Sequence, residues 1–136
     1  MTAKTDLYEA DTLVADVNLP TVTNTTLFTS GVHGGNKDFE LWEVTFIIDL
    51  LTPAANAGEV DLMITGVNCT FNGPQHAVYV NSSAAWREQL SLTTVVAMNG
   101  GALTLSVYNG ITAAATAKAA SGQGGKTTGY YMNRIA

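Results

Sequence analysis

The sequence predicts an all-β domain: an antiparallel β-sandwich of about eight strands in the jelly-roll arrangement. Three observations carry this. Residues 39–51, Phe-Glu-Leu-Trp-Glu-Val-Thr-Phe-Ile-Ile-Asp-Leu-Leu, alternate with a period of two. Trp42, Val44, Phe46, Ile48 and Leu50 share one parity, while Glu43, Thr45 and Asp49 hold the other. That period puts the apolar set on one face of a strand, where helical spacing would scatter the acids among them. Apolar runs then recur roughly every ten residues with turn signals between them. No stretch carries a convincing helical period. An immunoglobulin-like sandwich is the alternative, but no Cys-Trp-Cys framework favours it.

Residues 1–25 form a distinct opening segment. Leu7-Tyr8 and Leu13-Val14 are isolated apolar pairs, and Pro20 breaks regular structure. The segment is either an edge strand with a connecting loop or an extended arm that lies on a partner. Residues 26–136 are the sandwich. A strand over Thr25 to Val32 ends at Gly34-Gly35-Asn36, and the long central strand follows, stopped by Pro53. From Glu59 to Thr65, Val60, Leu62 and Ile64 alternate with polar residues; after Gly66 the apolar parity flips to Val67, Cys69 and Phe71. A parity change at a glycine marks a bulge or corner.

Asn72-Gly73-Pro74 is a turn, and His76 to Val80 a short strand. Trp86, Leu90, Leu92, Val96 and Met98 hold one parity along the next strand. Asn99-Gly100-Gly101 reads as a hairpin turn, leading to Leu103, Leu105 and Val107. Residues 111–120 are alanine-rich and combine helix propensity with strand alternation. The glycine tip after them and the run Gly129 to Ile135 favour a strand hairpin.

A chain of 136 residues suits one domain with a sizeable core. Charged residues make up 12%, about half the usual roughly 25%, and polarity comes from Thr, Asn, Gly and Ser. Such a surface suits a protein largely covered by neighbours, and equally a small β domain alone. A net charge of −5 with only six scattered Lys and Arg argues against nucleic acid. Nothing approaches the roughly 20 apolar residues of a membrane span. The opening Met1 to Asp6 leads into no apolar run, so no secretory signal is expected. The lone Cys69 cannot form an intrachain disulfide; a small buried thiol in a reducing cytoplasm is the expectation.

Several motifs invite chemistry. Ala120 to Thr127 fits a permissive phosphate-loop pattern, but such a loop needs a preceding buried parallel strand and a following helix. A hairpin tip accounts for it better. His33 and His76 have no metal-ligand partner at short spacing and read as surface or edge residues. Asp38 with Glu40, and Glu59 with Asp61, place paired carboxylates on one strand face, which is the pattern of a solvated face as much as of calcium or acid–base work. Ser82 and Ser83 lack a nucleophile elbow. Asn-x-Ser/Thr sites at Asn24, Asn68 and Asn81 carry no weight in so Asn- and Thr-rich a chain. Trp42 and Trp86 are in phase with core residues. No catalytic residue, cofactor or metal is expected.

Taken whole, the layout resembles the small bacteriophage capsid cement (decoration) proteins of jelly-roll type. The likeness rests on an extended opening over residues 2–26, then short strands from Leu27 to Val107 rich in Thr, Asn, Ala and Gly. The resemblance implies a structural virion protein, not an enzyme, folded in the host cytoplasm and bound to the outer capsid surface. Its partners would be the major capsid protein and itself, as a homodimer or homotrimer, with no nucleic acid and no membrane. Leu7, Tyr8, Leu13, Val14, Tyr130 and Tyr131 are the interface candidates. The alternative is a carbohydrate-binding β-sandwich module of an adhesin or fibre, with an exposed aromatic pair and calcium at Asp38 and Glu40.

Overall fold

In the computed structural model, which describes residues 2–4, 7–35, 39–53, 57–82, 86–119 and 127–136, two antiparallel sheets pack face to face and no helix occurs among the described residues. The larger sheet holds β1 (Thr2–Lys4), β2 (Tyr8–Thr12), β3 (Val17–Leu19), β5 (Glu40–Thr52), β7 (Cys69–Phe71), β9 (Trp86–Met98), β11 (Ala115–Ala117) and β12 (Gly129–Arg134). The smaller holds β4 (Thr23–Thr29), β6 (Ala57–Gly66), β8 (His76–Ser82) and β10 (Leu103–Asn109), in the order β4-β10-β6-β8.

The predicted central strand is β5. It pairs with β9 along its whole length, from Glu40 opposite Met98 to Thr52 opposite Trp86. Its other edge is shared: β12 covers Trp42 to Ile47, and β11 covers Leu50 and Leu51. Beyond them β2 lies on β12 and β3 on β11 in the same tandem. Each tandem is one long strand interrupted midway. With each tandem counted once and the three-residue β1 and β7 set aside, the first strand pairs with the eighth, the second with the seventh, the third with the sixth and the fourth with the fifth. That is an antiparallel ribbon rolled into two sheets, the jelly roll the sequence predicts.

The alternation fills the space between the sheets. Trp42, Val44, Phe46, Ile48 and Leu50 of β5 are fully buried against Val60, Leu62 and Ile64 of β6 and Leu103, Leu105 and Val107 of β10. Phe28 presents its ring edge-on to Phe46 and to Tyr130. Each such side chain contributes roughly 1.5–3 kcal/mol by leaving water.

The corner at Gly66 is where the chain leaves the smaller sheet and continues as β7 in the larger. A side chain at Gly66 would collide with Cys69 Sγ at 2.8 Å and Leu103 Cδ2 at 2.9 Å, so close approach requires glycine there. Cys69 itself is half-buried against the core.

Two expectations are corrected, and one open choice is decided. Asn99-Gly100-Gly101 does not close a hairpin: β9 and β10 lie in different sheets, and the turn is a second corner. Gly100 does take a positive φ of 87°, which a corner demands as readily as a hairpin does. Residues 115–117 are strand, yet β11 and β12 do not pair with each other; they follow one another along β5. Of the two alternatives for residues 1–25, the described residues take the edge-strand one. Far from lying free, this segment supplies β2 and β3 and buries Leu19 completely.

Asn109 fixes the turn that follows β10. Its buried amide donates to Leu19 O at 2.8 Å and Ala113 O at 3.0 Å, while Oδ1 accepts from Ile111 N at 3.0 Å. The opening segment is therefore tied to the chain's second half by backbone, side chain and core. We expect Leu19→Ala to cost about 2–5 kcal/mol in chemical denaturation, as for a core residue. A loss below roughly 0.5 kcal/mol, the scale of a surface substitution, would show that the segment is not part of the cooperative unit.

Candidate partner-binding surface

Because even-numbered residues of β5 face the core, odd-numbered ones face outward, and the register extends that face across four strands. Ala10 and Thr12 of β2 lie beside Tyr131 and Gly129 of β12, then Thr45 and Ile47 of β5, then Thr93 and Ser91 of β9, while Tyr8 stands one row along, level with Asn133 and the exposed Glu43. This middle band carries no charge. Thr45 and Thr93 share a hydrogen bond across β5 and β9 at 3.1 Å. At one end Asp49 accepts a two-pronged bond from Arg87, Nε to Oδ1 at 3.2 Å and Nη2 to Oδ2 at 2.9 Å, so that charge is answered locally.

A groove of about 290 Å³ opens in the face, lined by Tyr8, Ala10, Thr12, Ile47, Gly129 and Tyr131 among others. Gly129 makes it possible: a side chain there would meet Asp11 O at 2.5 Å. Above the groove the tandem strands break. Leu13 N donates to Thr128 O at 3.0 Å, Thr128 N to Lys118 O at 3.3 Å, and Asp49 N to Thr128 Oγ1 at 3.0 Å. Asp16 accepts from Lys118 Nζ and from Ala119 N, and the Lys118 bond holds its carboxyl below the usual range. These contacts close the base of the excursion between β11 and β12.

Directly behind the face lies a buried polar cluster that the sequence did not announce. Glu9 of β2 is 1% exposed, and its carboxylate accepts from Gly31 N at 3.0 Å and from Tyr130 OH at 2.5 Å. His33 Nε2 lies 2.9 Å from Glu9 Oε1, and its ring tilts over Trp42 at 4.3 Å between centroids. His33 Nδ1 lies 3.8 Å from Glu40, which also accepts from Trp42 Nε1 at 3.1 Å and faces Arg134 at 3.8 Å. Burial alone would push the Glu9 carboxyl up; the His33, Tyr130 and Gly31 donors outweigh it and hold the group at about 2. Burial and the Glu9 contact raise the Tyr130 phenol well above its ordinary range. Carboxylate, imidazole and phenol are spent on one another inside the protein. The cluster clamps β2 to the 31–33 turn and to β12.

The structure sorts the interface candidates. Leu7 is 65% exposed and Val14 is 90% exposed; Tyr8 and Tyr131 sit on the outer face. Leu13 packs partly against the core. Tyr130 turns inward and cannot touch a partner, because adjacent strand residues face opposite ways and Tyr130 shares parity with buried Met132. His33 is buried rather than at the surface; His76 is exposed, beside Asp61 at 3.1 Å. Trp42 is a core residue, as expected. Asp38, the phosphate-loop-like residues 120–126 and the Trp86 side chain lie outside the described residues. Among the described residues no group of three His, Cys, Asp or Glu could hold a metal ion. None of the Glu9 cluster is read from the sequence, where Tyr130 is an interface candidate and His33 a surface or edge residue; Glu9 carries no local signal, its partners being 22 to 121 residues away.

No protein-family model matches the chain, and neither does any curated protein.

The position of Glu9 fixes the sign of its pH effect. Its folded value of about 2 is below the ordinary 4.5, so the unfolded chain takes up the proton first. The stabilisation is complete above about pH 5 and is lost as pH falls toward 2, on the order of 3 kcal/mol in all. Glu9→Gln, followed by denaturation at a series of pH values, is expected to flatten that part of the stability profile. An unchanged slope between pH 5 and 2 would remove Glu9 from the account.

Proposed function

We propose that this protein is a structural decoration protein that binds the outer surface of a phage capsid and stabilises the shell. One observation carries the reading: the uncharged band across the larger sheet, with exposed apolar Leu7, Tyr8 and Val14 at its margin. A flat face poor in charge loses little on desolvation, whereas buried unpaired charge is costly. Repeated over the equivalent sites of a shell, modest contacts of this kind add through avidity. The rolled ribbon supplies a rigid body, so docking orders few side chains.

Removing the first two dozen residues is not a clean test, because it would delete β2 and β3 and with them the buried Leu19. Leu7→Asp with Val14→Asp changes only exposed positions. We expect this double variant to keep its melting temperature within a few degrees. Its retention on purified expanded capsids should fall at least tenfold in a co-sedimentation assay. Undiminished retention would sink this face as the contact.

The groove between Tyr8 and Tyr131 supports a second reading, a carbohydrate-binding module, since a shallow aromatic-walled site suits a sugar ring. That reading expects hits on a glycan array that disappear in Tyr131→Ala. Calcium at Glu40 is less suited, as its carboxylate already serves Trp42 and lies near His33 and Arg134. An empty array leaves the capsid reading alone.

A further inference from the structure

An exposed sheet edge is a template for another strand unless it is short, charged, kinked or covered. Most edges here are blunted. β1 and β7 are three residues each, and β1 carries Lys4. β4 has a register shift opposite Leu105 and Ser106, which bends it. On the open side of β9 the Ser91 amide and carbonyl are both occupied by the Tyr79 hydroxyl, at 3.2 and 2.6 Å. β8 is different. It runs seven residues, His-Ala-Val-Tyr-Val-Asn-Ser, in unbroken register with β6 and without Lys, Arg, Asp, Glu, Gly or Pro.

The hydrogen-bond phase shows which groups of β8 face outward. Ile64 N donates to Gln75 O at 2.9 Å, making Ile64 and Gln75 a hydrogen-bonded pair. Alternation along the ladder makes Leu62–Ala77 and Val60–Tyr79 bonded pairs too. Val78 and Val80, opposite Asp61 and Glu59, therefore direct their N–H and C=O away from β6. Among the described residues nothing in the chain takes these groups. Their side chains are 54% and 70% exposed on the outer face of the smaller sheet.

We propose that β8 pairs with β8 of a second copy across a two-fold axis, joining the smaller sheets of two protomers into one continuous sheet. The register centred on Tyr79 sets Val78 opposite Val80 of the partner subunit, and Val80 opposite Val78 of the partner subunit. All the outward-pointing backbone groups of the two valines then find partners, and the β-branched side chains pack across the seam. The strand suits itself electrostatically. It carries no acid, and the nearest carboxylates, Glu59 and Asp61, stand one strand back on β6, Asp61 already facing His76. A charged or proline-bearing foreign strand would gain less. The contact is isologous, so it closes at a dimer instead of growing into a filament. It uses the sheet opposite the uncharged band, leaving that band free. The inference gives the self-association of the proposed decoration protein a location, but it stands on the strand edge and does not require capsid binding.

The test is native mass by light scattering from about 1 to 100 µM, with the full chain and two variants. Val80→Lys puts a charge on an exposed side chain; Val78→Pro removes an edge N–H that β6 does not use. The wild type should be dimeric at the upper concentrations, while both variants should be monomeric with unchanged far-ultraviolet circular dichroism. Amide exchange at Val78 and Val80 should slow with concentration in the wild type and remain fast in Val80→Lys. A wild-type monomer at 100 µM, or a dimer that survives in folded Val80→Lys, would overturn the proposal. Dimers that ignore capsids would overturn the decoration reading and leave this one intact; capsid binding by a strict monomer would do the reverse.

Discussion

Both edges of β5 are used along most of its length, and this constraint sets the rest of the larger sheet. One edge is filled by β9 in a single unbroken register. The other is divided between β12 and β11, which makes the last part of the chain run past β5 in two pieces. Because each piece has its own outer neighbour, β2 and β3 must break at the same level. The hydrogen bonds among Leu13, Thr128, Lys118 and Asp49 bridge the break. The outer face, the groove and the excursion between β11 and β12 all follow from this shared edge.

The second determinant is a buried carboxylate. Placing Glu9 within the sandwich wall carries a large desolvation cost, offset only because three donors from two distant parts of the chain, residues 31–33 and Tyr130, converge on it. An apolar residue could fill the space, but it would accept sliding of β2 along β12. A carboxylate that must meet Gly31 N, the His33 ring and the Tyr130 hydroxyl together fits one register. The cluster thus constrains the pairing of β2 as well as adding to stability. It also explains why Tyr130 and Tyr131, identical in chemistry, have different fates: one completes the cluster, and the other faces outward.

The architecture was largely legible in the sequence, because period-two alternation in β5, β6, β9 and β10 is a direct record of one wet and one dry face. The corner at Gly66 was legible for the same reason, as a change of parity. Asn99-Gly100-Gly101 misled because positive φ is a local property, and a local turn cannot say whether the next strand returns to the same sheet or crosses to the other. The alanines of residues 111–120 gave no size contrast between faces, so their alternation favoured a strand but could not show that it lies end to end with β12 along β5 instead of pairing with it. The opening segment had too few apolar residues to show a period; Leu19 and Glu9 are buried by strands far away in sequence. What the site consists of is likewise non-local: Tyr8, Ile47, Gly129 and Tyr131 meet only through register.

The pairing of the first strand of the ribbon with the eighth has a consequence for how the protein is made. During synthesis β2 leaves the ribosome well before the strand that must lie beside it and the phenol that must meet Glu9, which follow more than a hundred residues later. Until then β2 has no partner on that side, and Glu9 remains solvated. The sheet therefore closes only after β12 has been made, through contacts between residues more than a hundred positions apart. Such closure belongs to the slow, topology-limited class of folding. In that interval the low-charge strands stand open together, so the period of production is when this composition exposes the chain to mispairing.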